Sequence, residues 1–142
     1  MFNLLSNLLC FAPRLGIQDK TITIKNSPGR NLHRLVHTLA FISAIFKHLQ
    51  LGESLKDAVS GAYDETLGKL HTWMVRTGIK AGMLGLPSRD AFFKSIGETP
   101  DSAREHADGF TSAANAIVAA VEGLYDGVEM PGSDFTVSSL WK

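Results

Sequence analysis

The chain has 142 residues, a length that suits one domain with one core. Fourteen Lys and Arg balance fourteen Asp and Glu, so no whole-molecule field is available to hold a nucleic-acid backbone or an anionic bilayer. With 44% hydrophobic and 20% charged residues the chain is as apolar as a packed globular protein, and the single Cys10 excludes an internal disulfide framework and suits a reducing, cytosolic compartment.

Residues 2–12 open with an apolar run. Asn3 and Asn7 interrupt it, no cation precedes it and Pro13-Arg14 ends it short of the ~18 residues a membrane span needs. It reads as an amphipathic helix with Phe2, Leu5, Leu8, Leu9 and Ala12 on one face. Residues 13–29 read as a connector punctuated by Pro13, Gly16, Asn26, Pro28 and Gly29; residues 21–25 alternate, but one short strand without a partner is not a sheet. Over 30–50 the spacing predicts a helix, capped by Ser27 or Asn26, with Leu32, Leu35, Val36, Leu39, Ile42, Phe46 and Leu49 recurring at three and four. Further helices are predicted over 53–67, 70–86 (ended by Pro87), 89–96 and 101–125, the last started by Thr99, Pro100 and Asp101. Gly127, Pro131 and Gly132 mark residues 126–142 as a tail over the surface. The fold class is all-α.

Chemistry concentrates on two of these helices. Arg30, Arg34, His37, Phe41, Ile45 and His48 share a stripe while the opposite stripe is apolar, so this helix is either buried on both sides or lines an apolar cavity. Two guanidinium forks one turn apart can converge on a phosphate or carboxylate; the plainer reading is a solvated basic turn. His71, Val75, Gly78 and Gly82 lie near one stripe of the helix over 70–86, and its glycines imply close helix approach or space for a ligand. His33 and His37 are four apart, but no third ligand is spaced to complete a metal site. Cys10 behaves as a small hydrophobe, Asp64 and Glu65 point about 100° apart on a helix, and neither a phosphate loop nor a nucleophile elbow is present. No enzyme, catalytic residue, metal or cofactor is expected.

The segments GRNLHRLVHTLAFISAIFKHL and AYDETLGKLHTWMVRTGIKAGMLGLPSRDAFF resemble the second half of a glycolipid transfer protein domain. The marks are an Arg- and Leu-bearing helix at Arg30 to Leu49, an A-Y-x-x-x-L-x-x-x-H-x-W segment at Ala62 to Trp73, and a basic, aromatic stretch after Pro87. The resemblance implies a two-layer all-α sandwich over 29–125, preceded by a divergent helix and connector (1–28) and followed by a tail (126–142). It implies a sphingolipid held between helices and moved between membranes. In glycolipid-specific members a Trp under the sugar occupies the place of Arg34, and in ceramide-1-phosphate-type members an Arg does. Arg34 and Arg30 are therefore expected on the phosphate, His71 on the ceramide amide and Trp73 at the membrane, with Phe41, Ile45, Val75 and Ile79 lining the apolar pocket.

One departure is plain. The family's recognition centre includes an Asp on a helix well before the Arg pair, whereas the 29 residues preceding Arg30 hold no such motif, so the chain resembles a domain lacking roughly its first third. Without that acceptor a buried ceramide N–H costs on the order of 1 to 3 kcal/mol. Exposure of a layer-contact face would also favour self-association. The expected partner is ceramide-1-phosphate, with transient membrane contact and no nucleic acid. Two rivals are a helical interaction module without transfer activity and a neutral glycosphingolipid carrier.

Overall fold

The structure, a computed structural model, describes residues 26–128 continuously, together with Cys10, 15–17, Ile22, Ile24 and Met130. The expected helix over 2–12, apart from Cys10, and the tail beyond Met130 lie outside the described residues. Among the described residues the regular elements are all helical.

Each helix starts where a side-chain oxygen can take an orphan backbone N–H. α1 spans Pro28–Gln50, with Ser27 accepting from the Arg30 N–H and proline in the first turn. α2 spans Leu55–Glu65 and is capped by Ser54, which accepts from the Asp57 N–H at 3.1 Å. Its end comes two residues before the expected one, because Thr66 leaves the helical region and donates its hydroxyl to the Ala62 carbonyl at 2.6 Å. A short 3-10 turn, Leu67–Lys69, follows. α3 is Trp73–Gly82, shorter at both ends than the sequence pattern suggested. Thr72 has extended backbone at its start, and a second 3-10 turn, Met83–Gly85, carries the chain to Pro87. α4, Arg89–Ser95, begins at Ser88, and Gly97 follows it with φ +74, a conformation that costs glycine least. α5, Pro100–Glu122, starts with a reciprocal capping box between Thr99 and Ser102 and ends in a 3-10 turn, Gly123–Tyr125.

α1 organises the rest. On one side α5 runs antiparallel to it. The Tyr125 hydroxyl donates to the Gly29 carbonyl, Ser43 Oγ donates to Asn115 Oδ1 at 2.9 Å, Phe46 meets Phe110 edge to face at 5.4 Å, and Gln50 Nε2 donates to Asp108 at 2.7 Å. On another side α2 runs antiparallel, with Phe41 edge-on to Tyr63 at 6.3 Å and His48 over Gly61. One apolar cluster joins Val36 to Val121, Tyr125, Ile17 and Ile22. Ile17, at 1% exposure, and Ile22 show that the presumed connector contributes to the core. Gly29 permits this, because a Cβ there would stand 2.7 Å from the Leu15 carbonyl oxygen. The second cluster is Leu49, Leu55 and Ala58, with Ile45, Val59, Leu86 and Phe92 packed against it. Burying each large aliphatic side chain contributes roughly 1.5 to 3 kcal/mol.

Histidines respond oppositely at the two ends of α1. His48 hydrogen-bonds Glu53 at 2.9 Å through Nδ1 and Glu65 at 3.2 Å through Nε2, and chiefly the bond to Glu53 raises its pKa above 6.5. His33 and His37 are joined Nε2 to Nε2 at 3.1 Å, with His33 edge-on to Tyr125 at 5.1 Å. Burial first, then the neighbouring His37 and Arg34, lower the His33 pKa to about 4. The folded state thus binds fewer protons than the unfolded chain at His33 between pH 6.5 and about 4, so stability falls as the pH drops through that window. At His48 the folded state binds more, so its contribution is complete below 6.5 and is lost as pH rises through the raised value. Urea-unfolding midpoints across pH should show a shallower acid limb in His33→Leu and a shallower alkaline limb in His48→Gln. Unchanged limbs would show that these histidines do not govern stability.

Candidate functional site

Arg30 and Arg34 lie one turn apart at the start of α1. Arg30 is only 6% exposed, which does not fit a solvated basic turn, since a buried guanidinium requires polar partners. Arg34 is half-buried; its Nη1 donates to Asn31 Oδ1 at 3.1 Å and reaches Asn26 Oδ1 at 3.5 Å. The Asn31 amide donates in turn to the Asn26 carbonyl at 3.2 Å. Asn26 holds φ at 65, a left-handed conformation that Asn tolerates better than most residues. Neither guanidinium is without further partners.

His71 does not lie on a helix, as its spacing to Val75 and Gly78 suggested. It occupies the bend before α3, because Thr66 has already ended α2 and Thr72 is extended. Its Nδ1 is 2.7 Å from the Tyr63 hydroxyl, and burial lowers its pKa below 6.5. Tyr63 in turn lies edge-on to Phe41. His71 is thereby tied to α1 two turns beyond Arg34, roughly 10 Å along the helix axis. Burial lowers the His37 pKa, Glu122 opposes that effect, and Lys69 is close enough to add to the lowering. The segment carrying Lys69 and His71 therefore borders the half of α1 that begins with the arginines.

Trp73, the first residue of α3, is 75% exposed, and Met74 and Leu84 are exposed with it. Asp64 anchors α3 to α2, accepting from Lys80 at 2.7 Å with Arg76 at 3.7 Å. Of the expected pocket residues, Phe41 is half-buried against Tyr63 and Ile45 joins the second cluster, while Val75 is buried and Ile79 half-buried on α3. A cavity of about 40 Å³ lies elsewhere, at the far end of α1, lined among others by Phe46, Leu49, Arg89, Phe92 and Phe93. Its volume suits a water and not an alkyl chain. Arg89 Nη2 there donates to the Leu49 carbonyl at 3.1 Å.

Of the two readings of the glycines over 70–86, close helix approach fails: a Cβ at Gly78 or Gly82 of α3, or at Gly85 of the 3-10 turn after it, would meet nothing within 4 Å, so these positions face open space. Close approach occurs instead at Gly61, where a Cβ would stand 2.9 Å from the His48 ring, and at Gly68, where it would stand 2.8 Å from the Tyr63 carbonyl oxygen. Sequence reasoning included Tyr63 only as part of the A-Y-x-x-x-L-x-x-x-H-x-W segment, with no role of its own, and passed over Lys69. Tyr63 sits eight residues before His71, a signal hidden by the expectation that both were helical. Among the described residues no group of three or more His, Cys, Asp or Glu is placed to hold a metal ion, and no helix is long and apolar enough to cross a membrane.

Residues 14–98 match the family Glycolipid transfer protein (GLTP), a span that includes Arg30, Arg34, His71 and Trp73. The chain is 35% identical over 126 residues to the ACD11 homolog protein of Arabidopsis thaliana, covering 87% of this chain and 53% of that protein. It is 24% identical over 112 residues to Accelerated cell death 11 of the same plant, covering 77% and 54%. The chain thus spans about half the length of these curated relatives. Among solved structures, a variant of Arabidopsis ACD11 complexed with ceramide-1-phosphate has a TM-score of 0.77 at 22% identity, covering 84% of this chain and 61% of that one. Mouse ceramide-1-phosphate transfer protein in its apo form gives 0.73 at 22% identity, covering 90% and 65%. The helical fold expected from the sequence is therefore shared with these structures, and the chain belongs to the glycolipid transfer protein family.

Proposed function

We propose that the chain binds a phosphorylated sphingolipid, ceramide-1-phosphate being the first candidate, and moves it between membranes from the cytosol without making or breaking a bond. The observation that carries the reading is the arginine pair at the head of α1, with Arg30 buried; by the family resemblance Arg34 stands where an aromatic ring would serve a sugar. A guanidinium fork matches a phosphomonoester bidentately; an indole face matches a sugar ring. In this reading Arg30 and Arg34 take the phosphate and His71 the ceramide amide. Phe41, Ile45, Val75 and Ile79 meet the chains, and Trp73 rests at the water–lipid boundary, where an exposed indole is favoured. The ceramide-1-phosphate bound by the ACD11 variant supports the choice of probe.

One observation favours a second reading, a helical interaction module. Leu35 and Ile42 on α1 and Phe110 and Ile117 on α5 are all exposed, and such apolar surface suits another protein or a second copy of the chain. That reading predicts no copurifying lipid.

Transfer of fluorescent ceramide-1-phosphate and galactosylceramide between vesicles separates the alternatives. The chain should move the phosphorylated lipid selectively. Arg34→Leu should abolish that selectivity by about tenfold or more while helical circular dichroism is kept. His71→Leu should weaken binding of both ceramides. Equal loss of the two lipids in Arg34→Leu would sink the headgroup assignment, and a folded chain moving neither lipid would leave the interaction module.

A further inference from the structure

Two half-buried imidazoles near the head of α1 have no part in the proposed lipid contacts. His33 and His37 face each other Nε2 to Nε2 at 3.1 Å, with ring centroids 4.3 Å apart. Only one hydrogen fits between those nitrogens, so one ring donates and the other accepts. At neutral pH both rings are uncharged: burial first, then His37 and Arg34, hold His33 at about 4, and burial also lowers His37. A first added proton goes to the Nδ1 of the donor ring and makes the shared bond a charge-assisted one, whereas a second would set two N–H groups head to head. The pair is therefore suited to take up one proton and to resist two.

Its surroundings come from three parts of the fold. From α5 and the turn after it, Glu122 favours protonation of His37, while Tyr125, edge-on to His33 at 5.1 Å, stays neutral because burial pushes its hydroxyl up to about 12. From the 3-10 turn packed on α1, Lys69 disfavours protonation of His37. From α1 itself Arg34 disfavours protonation of His33. Two cations oppose a proton here and one carboxylate invites it. Arg34 is also one of the two side chains that offer a fork to an anion. An oxyanion seated on it offsets part of the positive charge that keeps the neighbouring imidazoles unprotonated.

We infer that the His33–His37 pair is a proton store coupled to the arginine site, so that an oxyanion bound at Arg30 and Arg34 draws one proton into the pair and is held more tightly as the pH falls. The identity of the site rests on the carrier reading above; the coupling rests on the cluster around the pair. Linkage makes the effect reciprocal, the anion raising the pair's affinity for a proton by the same factor as the proton raises affinity for the anion. The site would hold its anion best at acidic pH and release it as the pH rises.

Inorganic sulfate is the probe, because its charge stays fixed between about pH 8 and 5, where a phosphomonoester loses part of its own. Calorimetric titration of the full chain with sulfate, at an ionic strength matched with chloride, should show binding about tenfold tighter at the acid end. Buffers of different ionisation enthalpy should report close to one proton taken up per sulfate. In long-range ¹H–¹⁵N spectra the pKa of the pair should rise when sulfate is added to the wild-type chain and stay put in Arg34→Leu. His37→Gln, which keeps both arginines, should bind sulfate without the acid enhancement. Sulfate binding of equal strength at both ends of the range, no sulfate binding at either, or a wild-type pair whose pKa ignores sulfate would each overturn the inference, whether or not the variants fold. Proton-coupled sulfate binding in a chain that transfers no ceramide-1-phosphate would support the coupling and overturn the carrier reading.

Discussion

A helix packed on two sides has little surface left for its polar residues, and α1 works under that constraint. Facing α5 it presents Val36, Ser43 and Phe46; facing α2 it presents Phe41, Ile45 and His48. Every polar side chain on those faces must find a partner in the neighbouring helix or in its own. Ser43 finds Asn115, His48 finds Glu53 and Glu65, and His33 finds His37. The pairings also set the register of the antiparallel packing, since a slip of α5 along α1 would strand Ser43 and separate Tyr125 from the Gly29 carbonyl.

The same constraint sorts charge along α1. Its first half holds Arg30 and Arg34 beside two histidines whose pKa values burial lowers, so at neutral pH the fixed positive charge there comes from guanidinium and from Lys69 nearby. At the other end His48 lies between two carboxylates that favour its protonated form. One helix thus carries weak bases biased in opposite directions: burial lowers His33 and His37, and the hydrogen bond to Glu53 raises His48.

How far the sequence revealed this depends on how local the cause was. Ser27 and Thr99 announced helix starts because a cap is decided within four residues, while the equally local caps Ser54 and Ser88 went unread. The glycolipid transfer protein motif announced the fold. Where causes were tertiary the reading missed. Periodicity ran a helix through His71, but Thr66 turns its hydroxyl back on the Ala62 carbonyl and the chain folds over Tyr63, which spacing cannot foresee. The glycines over 70–86, read as marking either close approach or space, face open space, while Gly61 and Gly68, which need close approach, stood in unremarkable contexts. Ile17 and Ile22 looked like connector residues because their partners, Val36 and Val121, come from helices far along the chain. The arginine pair was legible as a pair, but the burial of Arg30 was not.

A net charge of zero is compatible with the proposed anion-binding site because the field that matters is local. The first turn of α1 contains no acidic residue, although that is where a carboxylate would be most favourable against the positive end of the helix dipole. It contains Arg30 instead, with Arg34 one turn on. Cations at a helix N-terminus cost an isolated helix about 0.3 to 1 kcal/mol each, and here the cost is borne by the packing of α1 on two sides. In the proposed reading a phosphate placed there would meet two guanidinium forks and the helix dipole together. A neutral sugar would gain neither charge interaction. In the proposed reading that local match, more than any count of charges over the surface, would separate a phosphorylated lipid from a neutral one.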